Sequence, residues 1–220
     1  MKETDLHIVA QTDLYSEAAH LVVQYRNQLE NYIAGNPKFL KALLPLAVDP
    51  FAPPLIKEMM KAALAAGVGP MAAVAGGVAQ FVGQDLLRGY TSEIMVENGG
   101  DIFLQRSIDC RVAIFAGESP LSNTIGIEIK KEDMPVGICT SSATVGHSLS
   151  FGQADAVTVV AASVCLADAA ATRLGNETKE NRPIDEVLEV ASHIGGLQGV
   201  VVVRGEELGA WGKVELVGVC

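Results

Sequence analysis

Apolar residues along the first third of the chain recur every three to four positions. Ala18, Val22, Tyr25, Leu29 and Ile33 form one such stripe behind Ser16. The spacing predicts an amphipathic helix capped by the Ser16 hydroxyl and stopped at Gly35-Asn36-Pro37. Pro37 suits the first turn of a short helix through Leu40, Leu43 and Leu44, which Pro45 ends. A third helix is expected over residues 54–66 with Gly67 as its terminator, and a fourth over 77–88 ending at Gly89. The N-terminal region, about 14–66, therefore reads as helical.

The period then changes. Residues 93–97 and 101–106 flank Asn98-Gly99-Gly100, a strong hairpin signal. Residues 111–116 form a third strand candidate. Ile125, Ile127 and Ile129 alternate with Gly126, Glu128 and Lys130, the pattern of a half-buried strand. Residues 136–139 and 156–161 are further apolar strand candidates. Ser163 can cap a helix to Leu174 closed by Gly175, residues 176–182 read as a polar surface loop, and Pro183 opens a helix to Ile194. Residues 200–203 and 213–219 look like a final strand pair. Helices first, strands in the middle and mixed elements last imply an α+β fold with a largely antiparallel sheet covered by helices, in one domain over residues 1–220.

Composition narrows the function classes. The formal charge of −10 disfavours nucleic acid as a partner, because the general surface repels phosphate backbones. An anionic small ligand would need backbone amides or a metal ion. Residues 1–13 show no leader pattern, and the apolar run over 65–82 holds Pro70 and four glycines, so it reads as buried structure rather than a membrane span. A cytoplasmic protein without a membrane partner is expected. Aromatics make up only 5% of the chain against 49% hydrophobic residues overall, which points to close backbone packing by Ala, Val and Gly. Cys110, Cys139, Cys165 and Cys220 lack metal-finger spacing and read as free thiols.

Three segments carry candidate chemistry. Gly99 and Gly100 allow positive φ and close ligand approach, with Asp101 placed to orient a polar group; an ordinary hairpin is the alternative. Thr140 and Ser141 open a hydroxyl-rich loop after an apolar strand, where phosphate or ribose oxygens could be held, and His147 follows as a candidate general base; a plain polar loop is the alternative. Asp168 and Thr172 lie four apart among alanines, so their oxygens share one helix face. A buried carboxylate needs a partner: either a hard cation such as Mg²⁺, or a neighbouring element that Asp168 caps.

In order, Gly76-Gly77-Val78-Ala79-Gln80, Gly99-Gly100-Asp101, Thr140-Ser141, His147, Val157-Thr158-Val159-Val160-Ala161 and Ala167-Asp168-Ala169-Ala170-Ala171-Thr172-Arg173-Leu174 resemble the motifs of the ApbE family over residues 70–175. The chain looks most like a shorter, cytoplasmic branch of that superfamily. The resemblance implies a T-fold-like arrangement and Mg²⁺-dependent FMN transfer from FAD to a protein threonine with release of AMP. It implies a metal held by Asp168, Thr172 and the Ala79 carbonyl, a flavin nucleotide (FAD or FMN) near Gly99, Gly100, Asp101, Thr140 and Ser141, and His147 as proton acceptor. Gln80 stands where the transferases usually carry Lys, Ser142 where they carry Gly, and Ser150-Phe151 where they carry Asp-Pro.

The leading expectation is thus Mg²⁺-assisted transfer or hydrolysis at a phosphoryl linkage of FAD or a related dinucleotide, with Asp168 and His147 in catalytic roles. The partner expected is a small-molecule nucleotide, with a homodimer left open. Two other readings stand beside it. Cys139, at a strand end beside hydroxyls, could serve a sulfur-handling enzyme and would then be the most reactive thiol. A nucleotide-binding module without turnover is the other.

Overall fold

The computed structural model describes residues 4–142, 152–179 and 181–219. The elements in chain order are β1 (His7–Ala10), α1 (Tyr15–Gly35), α2 (Pro37–Lys41), α3 (Pro54–Ala66), α4 (Val74–Gly89), β2 (Ile94–Asn98), β3 (Asp101–Gln105), β4 (Cys110–Ala113), β5 (Ile125–Ile129), β6 (Val136–Ser141), β7 (Ala156–Ala161), α5 (Val164–Glu177), α6 (Ile184–Ser192), β8 (Leu197–Arg204), β9 (Glu207–Gly212) and β10 (Glu215–Gly218). The α+β architecture expected from the chain is what forms. A seven-stranded sheet runs β1-β2-β3-β6-β7-β8-β9 with every neighbouring pair antiparallel, and a second sheet runs β10-β5-β4.

Strand alternation divides the large sheet between two cores. Phe103, Cys139, Val157, Val159, Val200 and Val202 point to the helices and join the main core with α3, α4 and α5. Leu104, Ile138, Val160, Val201 and Val203 point the other way, onto Ile127 and Ile129 of the small sheet. α5 is the central helix of the covered face. Its alanines at 167, 169, 170 and 171 are buried, and this smooth surface lets α3, α4 and β6 approach closely.

Several expectations shift. α1 begins one residue before Ser16, and the Asp13 carboxylate, not the Ser16 hydroxyl, takes the first free amide, that of Tyr15. α2 stops at Lys41, leaving Leu43 and Leu44 exposed beyond it. α4 starts at Val74, ahead of the expected residue 77. α5 runs through Gly175 to Glu177 rather than ending there; the glycine is used because a Cβ would lie 3.1 Å from Ser141 Oγ. The expected pair of 200–203 with 213–219 does not form. β8 lies between β7 and β9, and β10 leaves the large sheet to pair with β5. β1 and β9 had no sequence signal: one is four residues long and the other holds two glycines. The apolar run 65–82 bends between α3 and the following helical segment by 109°, and no single helix among the described residues is long and apolar enough to cross a membrane.

Candidate functional site

Asp101, Cys139 and Asp168 meet on the helix-covered face of the large sheet. The β2–β3 turn brings Asp101 there: Gly99 and Gly100 adopt φ of 63° and 102°, the paired positive values of a tight hairpin turn. Asp101 lies opposite Cys139 in the β3–β6 register, so the two side chains share a face. Asp101 is 7% exposed. Burial, followed by the nearby Asp168 charge, raises its pKa well above the ordinary carboxylate range, against a lowering hydrogen bond from the Cys139 thiol; Glu97 adds to the rise.

Asp168 reaches from α5 to the start of α4. Its Oδ2 accepts the Gly76 amide at 2.8 Å. Burial pushes its pKa up to about 7, while backbone amides of Gly76 and Ala75 hold it down. Those amides belong to the first turn of α4, where helix N–H groups lack internal partners and the dipole favours an anion. Gly76 permits the approach, since a Cβ there would lie 2.7 Å from the Val164 carbonyl oxygen and 2.8 Å from Asp168 Cβ.

Gln80 makes the reverse connection. From α4 its Oε1 accepts the amides of Val164 at 2.7 Å and Cys165 at 3.2 Å, the first free donors of α5, and lies 3.3 Å from Ser163 Oγ. Ser163 caps the same end through the Leu166 amide at 3.3 Å, as expected. The two helices thus cap each other, α5 serving α4 through Asp168 and α4 serving α5 through Gln80. Sequence reading noted Gln80 only as a departure. A glutamine carbonyl on an apolar helix face, three residues after the Gly76-Gly77 pair, was the available signal.

The expected site residues divide into groups. Asp101, Ser141 and Asp168 share the helix-covered face; Ser141 lies against Gly175 of α5. Thr140 does not. It alternates to the opposite face, where its hydroxyl pairs with that of Thr158 at 2.9 Å. The Gly100 amide is taken by Glu97 Oε1 at 2.8 Å and so is not a free donor for phosphate; Glu97 was missed from sequence. Gly99 has open space where a Cβ would stand. Thr172 is half-buried one turn beyond Asp168, and Ala79 is fully buried inside α4. His147, like Ser150 and Phe151, lies outside the described residues.

Cys139 corrects an expectation. β6 continues to Ser141, so Cys139 lies within the strand and is fully buried. Its thiol points at the Val164 carbonyl, 3.5 Å away. Burial, then the Asp101 and Asp168 charges, drive its pKa well above normal. A thiolate is strongly disfavoured there, which removes the basis for a thiol enzyme using Cys139.

No group of three or more His, Cys, Asp or Glu side chains with metal-binding placement occurs among the described residues. The Asp101–Asp168 pair nevertheless suits a hard cation. The Asp168 charge adds to the rise at Asp101, and among the described residues no lysine or arginine is one of the groups that shift either carboxyl.

A family model described as "AbpE bacteria" matches residues 1–206. The chain belongs to this ApbE-like family. Its relatives include UPF0280 proteins of Methanococcus maripaludis strain C5, 44% identical over 97% of this chain and 89% of the relative, Methanocaldococcus jannaschii, 41% identical over 97% and 89%, and Methanosarcina acetivorans, 39% identical over 97% and 85%. Distant solved likenesses include the flavin transferase ApbE of Vibrio cholerae, 16% identical over 94% of this chain and 77% of that one at a TM-score of 0.46. The flavinyl transferase ApbE of Pseudomonas stutzeri, 19% identical at a TM-score of 0.45, covers 67% of this chain, which spans 50% of that structure's length.

Proposed function

We propose that this ApbE-like chain acts on a flavin dinucleotide, or a related pyrophosphate-bearing nucleotide, with a divalent cation at the Asp101–Asp168 pair. The observation that carries the reading is that pair: two acidic side chains gathered from β3 and α5 on one sheet face, with no basic side chain among the described residues acting on either. Asp168 and Asp101 would hold Mg²⁺, with Thr172 one turn beyond Asp168 as a further oxygen donor. Bound there, Mg²⁺ would offset pyrophosphate charge and polarise the scissile linkage. The chain's own residues fix the pair: Gln80 and Gly76 hold α5 against α4, and the glycine turn sets Asp101 beside β6. In the reaction the bridging P–O bond of FAD breaks and AMP leaves. A hydroxyl of a protein acceptor or of water forms the new bond to the FMN phosphorus and gives up its proton.

Calorimetry with FAD, with and without Mg²⁺, tests binding, and chromatography for AMP tests turnover. Binding that needs Mg²⁺ and fails in Asp168→Ala is expected. Metal-independent FAD binding that survives Asp168→Ala would put the site elsewhere. Tight, metal-dependent binding without AMP, even with candidate acceptors, would make the protein a binding module.

A second reading is favoured by the Gly76 bond: Asp168 caps α4 and holds no ligand. It predicts identical thermal shifts with Mg²⁺ in the wild type and in Asp168→Asn.

A further inference from the structure

The first strand of the large sheet is an open edge. β1 spends one side of its backbone on β2, in the register His7↔Glu97 to Ala10↔Ile94, and no strand among the described residues lies on its other side. Alternate N–H and C=O groups of an edge strand are left unpaired, and proteins usually blunt such edges with lysine, proline or a bulge. β1 reads His-Ile-Val-Ala and its pairing with β2 is regular, so it has no lysine, proline or bulge, and its four-residue length is the one blunting device it has. The opposite edge differs: β9 begins with Glu207 and has α6 packed onto it, Ile184 lying against Gly209.

α1 stands beside this edge with a groove of about 990 Å³ between them, within the size range of ligand clefts. One wall is formed by the residues of β1 and those flanking it. The other is a stripe of α1, namely Ala18, Ala19, Val22 and Val23. Val23 is 57% exposed and Val9 of the strand 42%, although both are apolar. Asp5 and Asp13, both exposed, lie at the rim.

We propose that this groove receives an extended peptide segment of a partner protein, which adds as a further strand to β1. Three features select this occupant. The unpaired edge supplies main-chain hydrogen bonds of the kind that strand addition uses. The small-residue stripe of α1 takes alternate side chains of the added strand, because successive side chains of a strand point to opposite faces. The acidic rim favours lysine or arginine at the intervening positions. The recognised segment therefore alternates apolar and basic residues. The groove lies two strands from the one bearing Asp101, so the proposal stands whether or not the nucleotide reading holds.

The test uses the full chain without nucleotide or metal, and a fluorescein-labelled eight-residue peptide alternating valine and lysine as probe. Saturable binding by anisotropy is expected, with slower hydrogen exchange at the β1 amides. Methylating alternate peptide amides, which removes strand hydrogen bonding, should weaken binding about tenfold or more, as should replacing lysine by glutamate. Ala19→Trp, at an exposed α1 position, should fill the groove and abolish binding while leaving the melting temperature unchanged. Absence of binding, or equal binding of the methylated peptide, overturns the proposal. So does sedimentation showing a dimer that Ala19→Trp dissolves, because a second copy would then occupy the groove.

Discussion

The Asp168 carboxylate of α5 accepts the Gly76 amide of α4 at 2.8 Å, and the glycine is what lets them meet. In Gly76→Ala the new methyl would press on the Val164 carbonyl oxygen at 2.7 Å and on Asp168 Cβ at 2.8 Å. One obstacle is backbone and the other the root of a side chain, so neither swings aside. Overpacking of this kind costs about 1–3 kcal/mol, more than the helix propensity gained by alanine. Urea denaturation should show the loss; a midpoint at or above wild type would mean that the helices separate without penalty.

Gln80→Leu tests the other half of the exchange. Leucine fits the apolar face but removes the acceptor for the Val164 and Cys165 amides, both buried. Leaving buried donors unsatisfied costs about 1–3 kcal/mol each. Gln80→Glu keeps an acceptor oxygen and should recover part of the loss. Equal unfolding midpoints for the leucine and glutamate variants would remove the capping role from Gln80.

Much of the fold was legible because local signals and tertiary demands agreed. The ends of α3 were readable from Pro54 and Gly67, and the hairpin from Asn98-Gly99-Gly100, since backbone conformation there depends on residues at the ends themselves. β1 and β10 were missed or misassigned because their pairing depends on which edge is free, a property of the assembled sheet. In the site, the sequence placed Asp101 and Asp168 among the important residues. It could not say that Thr140 faces away from them, because the strand's alternation becomes visible only once its length through Ser141 is known. Gln80 looked like a lost lysine, and its role as a cap depends on the helix crossing that brings Val164 beside it.

Asp168 makes stability depend on pH. Its pKa rises from 3.8 to about 7 on folding, burial being the main cause. Between those values the folded protein holds a proton that the unfolded chain has released, so stability falls as pH rises. The contribution is complete below about pH 4 and is lost as pH passes through 7, amounting to a few kcal/mol by order of magnitude. Asp168→Asn keeps an acceptor oxygen for Gly76 and removes the proton exchange. With divalent cations chelated, the wild type should lose stability relative to this variant from pH 4 to 8. Parallel stability curves would show that Asp168 does not titrate in that window.

The thiols should react in order of burial. Cys139 and Cys165 are fully buried, and desolvation raises both pKa values well above normal. Cys110 on β4 is half-buried, and its pKa is also raised. Limiting alkylation followed by mass spectrometry should label Cys110 well before Cys139 or Cys165. Early labelling of Cys139 would reopen the thiol-enzyme reading.

The two adjacent hydroxyls at the end of β6 separate site from scaffold. Thr140 and Ser141 follow one another in the strand and so face opposite sides of the sheet. Thr140 bonds to Thr158, which is only 1% exposed, whereas Ser141 lies against Gly175 on the side of Asp168. Thr140→Val should leave the Thr158 hydroxyl without its partner and cost about 1 kcal/mol of stability, with nucleotide affinity unchanged. Ser141→Ala should leave stability within about 0.5 kcal/mol, as substitutions away from the core usually do, and should weaken nucleotide binding if the pocket lies on the Asp168 face. Calorimetry and urea denaturation on the two variants give a crossed pattern under this reading. Loss of nucleotide affinity in Thr140→Val with Ser141→Ala unaffected would place the pocket on the side of the small sheet and detach it from Asp101 and Asp168.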